Sequence, residues 1–269
     1  MSLKEATREK RQGTQDAVYY WITDSAKISK VPVKKLLSHT KTKMELTIFL
    51  ADKAMKHFKG QDERPFVVAW GSKCTATHKD AKHLKSNHEE TDTKVILHAV
   101  DATLDGAMEI QVHSPDTDVF VLALRRYPEL CNNVSFVTRK GQNCRVIKLQ
   151  PIVQILGEAR TAALPAFNAI SGADNTGCFS GHAKASCWKA FLNMHEVVVR
   201  ELAKLGTTST PSEETMKAIE QFVCEIYVPN TSLTTVKDLC WWLFRKKQAQ
   251  SERLPPTQGA LRQGVLRAH

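Results

Sequence analysis

Three features of the sequence predict an α/β fold. Strand-like runs alternate with helical patterns between residues 66 and 149. From Pro151 onward the pattern turns helical. The composition, 42% apolar and 25% charged, is that of an ordinary globular chain. The expected architecture is an α/β core followed by a helical extension.

The elements follow in order. Residues 1–14 read as a short basic helix, with Lys4, Arg8 and Arg11 near helical spacing. Residues 24–42, rich in Ser, Thr and Lys, read as a mobile basic connector. Residues 43–58 read as an amphipathic helix, with Met44, Ile48 and Met55 roughly aligned and Gly60 ending it. The run Phe66-Val67-Val68-Ala69-Trp70 reads as a strand. Residues 89–102 read as a helix that turns Val95, Ile96, Ala99 and Val100 inward. Residues 109–113 form a second strand, broken by Ser114-Pro115, and 117–126 a buried helix. Residues 134–138 and 145–149 are two more strands, joined by a turn at Lys140-Gly141. Helices are expected at about 151–158, 164–170, 183–204, 212–226 and 233–247, and residues 248–269 read as a weakly packed tail. The domain reading is 1–60 as a basic N-terminal segment, 61–200 as the α/β core, and 201–269 as the helical extension and tail.

The longest near-continuous apolar run, Val119 to Leu124, is far short of the roughly 20 residues a membrane helix needs. The first residues lack the apolar core of a signal peptide. Seven cysteines, odd in number and without a C-x-x-C pair, point to a reducing intracellular setting, nuclear or cytoplasmic. The net charge of +10 is uneven. Residues 1–60 carry 13 Lys/Arg against 6 Asp/Glu, residues 241–269 carry 6 against 1, and residues 61–240 carry 19 against 21. Basic ends around a near-neutral centre suit contact with a polyanion, although a solubilising surface explains the same charge.

The acids are the informative residues. Glu89-Glu90-Thr91-Asp92 opens a helix, and Ser114-Pro115-Asp116-Thr117-Asp118 joins a strand end to the next helix. Ser171-Gly172-Ala173-Asp174-Asn175 forms a turn between helices. In an open α/β sheet the working face lies beyond the carboxyl ends of the strands. Carboxylates gathered there raise one another's pKa and stay ionised together when a cation neutralises them. Hard oxygen donors select Mg²⁺ or Mn²⁺, and two such ions are the usual device for phosphodiester hydrolysis. Acids at helix N-termini also serve simply as caps.

The order Glu90-x-Asp92, Ser-x-Asp116-x-Asp118, Gly-x-Asp174 resembles the core of the flap endonuclease and XPG-like nucleases, a branch of the PIN-like superfamily. The chain also resembles, over nearly its whole length, a widespread group of PIN-like proteins of animal genomes. The shared phrases are His88-Glu89-Glu90-Thr91-Asp92-Thr93, Ser114-Pro115-Asp116-Thr117-Asp118-Val119 and Ser171-Gly172-Ala173-Asp174-Asn175-Thr176. The resemblance implies a three-layer PIN-like parallel sheet and a structure-selective nuclease using two Mg²⁺ or Mn²⁺ ions. It makes Glu90, Asp92, Asp116, Asp118 and Asp174 metal ligands, with Glu89 a cap or a spare ligand. Residues 177–189 stand where the family places a duplex-gripping helical hairpin, whose glycine pattern survives loosely, with Lys184 and Lys189 as phosphate contacts. The family's sheet begins with two Asp-bearing strands. Residues 2–11 resemble the basic helix that follows them, so the chain resembles a member lacking its first portion, incomplete at the N-terminus. Lys4, Arg8 and Arg11 then belong to the nucleic-acid surface. The expected partner is DNA or RNA, branched or single-stranded, with no membrane. The alternatives are a catalytically incomplete nucleic-acid-binding module and a protein-interaction scaffold.

Other constellations carry less. Cys74-x-x-x-His78 with His83 and His88 invites zinc, but a second Cys is missing, and histidines in a loop with Lys73, Lys79, Lys82 and Lys85 explain it as well. Ser114, Ser171 and His113 lack a Gly-x-Ser-x-Gly elbow. Trp188, Trp241 and Trp242 can stack on bases but read better as buried helix anchors. Cys178 and Cys187 read as small, semi-buried residues.

Overall fold

The computed structural model describes residues 18–25, 31–61, 65–86, 91–139, 141–173, 176–246 and 254–268. The expected basic helix at 1–14 lies outside them. The chain divides into two compact units, Met1–Glu89 and Glu90–His269.

In the first unit, a single turn α1 (Val33–Leu36) precedes α2 (Thr40–Phe58). Part of the expected connector is therefore helical. His39 caps α2 by accepting the Thr42 N–H on Nδ1. The Thr42 hydroxyl is fully buried and accepts the Tyr20 N–H at 3.0 Å, while Tyr19 donates its phenol to Glu45 at 2.7 Å. Gly60, at φ +82°, turns the chain out of the helix, and Phe58 stacks on Phe66 with centroids 4.6 Å apart. β1 (Val67–Trp70) pairs antiparallel with β2 (Lys73–Ala76). Only Gly71 and Ser72 separate the two strands, and Gly71 takes the positive φ such a tight hairpin needs. Cys74 is buried against Ala81 and Leu84, so its thiol packs as a core side chain.

The second unit opens with α3 (Thr91–Leu104). It closes in a Schellman motif: Gly106 at φ +92°, Ala107 N–H to Ala102 C=O, and Gly106 N–H to Thr103 C=O. β3 (Glu109–His113), α4 (Thr117–Arg125), β4 (Asn133–Thr138) and β5 (Arg145–Lys148) follow. The sheet order is β3-β4-β5. β3 and β4 are parallel, bridged by α4, with Val112 opposite Phe136. β5 is antiparallel to β4, which corrects the all-parallel expectation. The reason is length: the link of residues 139–144 is too short for a crossover, and Arg139 and Gly141 reverse it at positive φ.

α5 (Leu149–Ile170) consists of two helical segments, as expected, with the second starting earlier than residue 164. Gly157, at φ +75° and ψ +166°, leaves helical geometry and divides the two, and the second segment runs on through Pro165. α6 (Lys184–Asn193) and α7 (Glu196–Leu202) divide the single helix expected at 183–204, because Met194 and His195 take extended backbone. α8 (Glu213–Tyr227) and α9 (Val236–Arg245) match the helices expected at 212–226 and 233–247. Ser212 caps α8, with Glu213 and Glu214 in the first turn facing the helix dipole. Thr235 caps α9 by accepting the Asp238 N–H at 3.2 Å.

The expectation of a loose tail is overturned. Residues 258–268 form α10 (Gln258–Ala268), which packs on α5 with Leu261 and Val265 buried. Glu220, a buried carboxylate on α8, fastens this end. One oxygen accepts the Val236 N–H at the start of α9, and the other accepts the Gln258 amide at 2.9 Å. One core serves the whole unit. It joins Val112, Val134 and Phe136 of the sheet to Ala123, Ala163, Phe191, Phe222 and Val265 of the helices. Burying each large side chain there contributes about 1.5–3 kcal/mol. Among the described residues no helix is long and apolar enough to cross a membrane.

Candidate functional site

The site is built where β3 ends. Ser114 N–H still donates to Val137 C=O, extending the ladder by one step, and Pro115 then stops it. The Ser114 hydroxyl accepts the Asp116 N–H at 3.0 Å. Asp116, with extended backbone, caps α4 by accepting the Asp118 N–H on Oδ1 at 2.9 Å. Asp118 lies in the first turn of the same helix. One short turn thus fixes two carboxylates at the carboxyl end of a strand and the positive end of a helix dipole.

From Asp118 a line of hydrogen bonds crosses three elements. Asn168, near the end of α5, donates its amide N–H to Asp118 Oδ1 at 2.8 Å. Its carbonyl oxygen accepts from Lys184 Nζ, which also donates to the Gly172 C=O at 3.1 Å. Only one orientation of the Asn168 amide satisfies a carboxylate and an ammonium together, so the network fixes it. Lys184 is the first residue of α6, where the helix dipole disfavours a cation. Asn168 and the Gly172 carbonyl offset that cost.

Gly172 begins the turn that leads to Asp174. Its φ is +112°, and a Cβ there would lie 3.1 Å from the Cys178 Cβ, so only glycine fits without strain. Thr176 holds the far side. Its hydroxyl accepts the Ala173 N–H at 2.8 Å and donates to the Ala169 C=O.

Asp116, Asp118 and Lys184 therefore belong to one neighbourhood. Lys189 is exposed but stands five residues beyond Lys184, about 140° round the helix. Asp92 is half-buried in the first turn of α3, the helix that packs on α4. Among the described residues no three Asp, Glu, His or Cys side chains form a metal-sized group. Glu90, Asp174, Lys4, Arg8 and Arg11 lie outside the described residues. The donor chemistry of the described pair suits a hard cation. Both carboxylates are exposed, and each has an oxygen, Oδ2, outside the structural bonds that Oδ1 makes to the Asp118 N–H and the Asn168 amide.

Beside this polar line opens an apolar groove of about 690 Å³ between α4, α5 and α6. Asp118, Asn168 and Lys184 form its polar end, and Phe120, Leu124, Ile152, Phe167 and Trp188 line its walls. Trp188 meets Phe167 edge-on at 5.2 Å. A second cavity of about 270 Å³ is bordered by residues 176–180, Tyr227 and α10. The buried Tyr227 hydroxyl has no hydrogen-bond partner among the described residues, and burial pushes its pKa up to about 12. Burial likewise raises the thiol of Cys187 and pushes that of Cys224 up to about 12, which keeps both unreactive, whereas Cys178 is exposed.

Sequence reasoning missed Asn168. The signal was present: it is the lone polar residue between Ala162 and Ile170, in a residue type that helix interiors disfavour. The reading of Trp241 as a buried anchor is corrected. Trp241 is 62% exposed, because Val236, Leu239 and Leu243 supply the inner stripe of α9. No family model, no curated protein and no solved structure matches the chain.

Proposed function

We propose that the chain is a PIN-like, divalent-metal-dependent nuclease that selects its substrate by structure and acts inside the cell, in nucleus or cytoplasm, on branched or single-stranded DNA or RNA. The three-layer PIN-like sheet is part of the same proposal. The observation that carries it is the continuous set Asp116, Asp118, Asn168, Lys184 and Gly172, which links a strand-end acid pair to a lysine and to the turn preceding Asp174.

Asp116 and Asp118, with Glu90, Asp92 and Asp174, are the residues that would hold Mg²⁺ or Mn²⁺. The bound ions supply Lewis acidity and lower the pKa of a coordinated water. The protein's own part is positional. The α4 cap sets the direction of the Asp116 and Asp118 side chains, and Asn168 holds Asp118 and Lys184 a fixed distance apart. Lys184 offers a cation to the phosphate being cut, at a helix start where the dipole disfavours a lysine. The basic residues 1–60 hold the backbone through charge alone. Seven unpaired thiols agree with a reducing compartment.

The second reading, a binding module without catalysis, draws on the same bonds. Asp116 is a helix cap and Asp118 anchors Asn168, roles that need no metal. Cleavage assays separate the two. Labelled flap, single-stranded and duplex substrates of DNA and RNA are incubated with Mg²⁺ or Mn²⁺. Wild-type protein is expected to cut, and Asp116→Asn/Asp118→Asn to lose at least about 100-fold in rate. Cutting that persists unchanged in the double variant removes the nuclease assignment. Salt-sensitive binding without cutting selects the second reading.

A further inference from the structure

Helix α9 turns an aromatic, basic stripe outward. Lys237, Trp241, Phe244 and Arg245 recur at i, i+4, i+7 and i+8, so they share one face. All four are exposed, Trp241 by 62% and Phe244 by 68%. The two rings lie nearly parallel, 23° apart with centroids 6.3 Å apart. Lys246 stands at the end of the helix with its ammonium 5.6 Å from the Trp242 ring. Asp238, the acid of this helix, is tied into the helix cap by the Thr235 hydroxyl at 2.7 Å. Residues 241–269 carry 6 Lys/Arg against 1 Asp/Glu.

From this we infer that the outer face of α9 is a stacking platform for unpaired bases of a single-stranded nucleic acid, with Lys237, Arg245 and Lys246 on its phosphates. The inference is independent of catalysis at the acid pair. Flat rings flanked by cations suit an occupant with flat apolar faces at intervals along an anionic backbone. Each ring adds a sequence-tolerant contact, because every base presents a π-face. A protein partner suits the patch less well. Two aromatic side chains bury at most about 500 Å² together, against about 800 Å² per partner in a standard stable interface.

The test measures binding of residues 1–269 to fluorescein-labelled oligodeoxythymidylate of about 16 nucleotides by anisotropy, in EDTA so that nothing is cut. The same label on a duplex is the control. Trp241→Ala/Phe244→Ala is expected to weaken single-strand binding by about tenfold or more and to leave duplex binding unchanged. Trp241→Phe keeps most of the affinity. Lys237→Ser/Arg245→Ser flattens the salt dependence while the rings remain, which provides a second readout should the aromatic variant fold poorly. The inference falls if wild-type protein does not bind the strand, or if the aromatic variant binds it as well as wild type. It also falls if wild type sediments as a dimer that the aromatic variant dissociates with no change in strand affinity, since the face is then an interface between copies.

Discussion

Asn168 touches an anion with one end and a cation with the other. Its amide N–H meets Asp118 and its carbonyl meets Lys184, so a neutral side chain keeps two opposite charges from closing on each other. A direct Asp118–Lys184 ion pair would use the carboxylate and the ammonium on each other and leave neither for substrate. Asn168→Leu is close in size and removes both bonds. We expect a modest loss of stability, about 1 kcal/mol because the bonds are exposed, and a loss of cleavage well beyond what the melting shift explains. Thermal melts beside cleavage rates check this. Equal, small changes in both would reduce Asn168 to a structural spacer. The place of Asp116 and Asp118, at a strand end and a helix start, was legible in the sequence because Ser-Pro-Asp-x-Asp after a strand is a local pattern. Asn168 was not, because its role depends on a contact 50 residues away in the chain. Gly172 was legible as a turn residue. The requirement for glycine itself, the close approach of Cys178, belongs to the packed molecule.

The elements that the sequence revealed are those whose ends are signed locally. α8 begins at Ser212 followed by two glutamates, α9 begins at Thr235 with Asp238 three residues on, and β3 stops at Ser114-Pro115. The ones it concealed are short and make their case through distant partners. β2 offers four residues with a lysine at the start, so its charged neighbours suggested a loop, although the Gly-Ser pair between Trp70 and Lys73 marks a hairpin. α10 buries only Leu261 and Val265 fully, one pair at i, i+4, with the small Ala268 partly buried beside them, a stripe too thin to read within a polar stretch. Its hold on the molecule comes from α5 and from Glu220 through Gln258. Leu261→Ala/Val265→Ala is therefore expected to lower unfolding free energy by about 3–6 kcal/mol, the sum of two buried truncations. Urea melts followed by circular dichroism measure it. A change below about 1 kcal/mol would mean that the helix is not docked in solution.

At the scale of the molecule, charge and chemistry are divided between the two units. Residues 1–89 carry 18 Lys/Arg against 10 Asp/Glu, whereas residues 90–269 carry 20 against 18. The acid pair, Asn168, Lys184 and the α9 stripe all lie in the second unit, together with the whole of its hydrophobic core. A fragment of residues 90–269 keeps every buried side chain of that core and should fold with a single cooperative transition. Such a fragment separates two contributions to nucleic-acid affinity. Binding through phosphates falls with salt by about 0.7 log units per contact per decade for single strands, whereas stacking on Trp241 and Phe244 is nearly indifferent to salt. The full chain is therefore expected to show a steep dependence of single-strand affinity on salt, and the fragment a slope less than half as steep. The two affinities should converge toward high salt, where stacking dominates, and both should fall there with Trp241→Ala/Phe244→Ala. Titrations of both proteins over a range of salt concentrations supply the comparison. If the fragment keeps the full slope, the basic charge of residues 1–89 faces solvent rather than phosphate, and the grip on the backbone rests on cations of the second unit such as Lys237, Arg245 and Lys246.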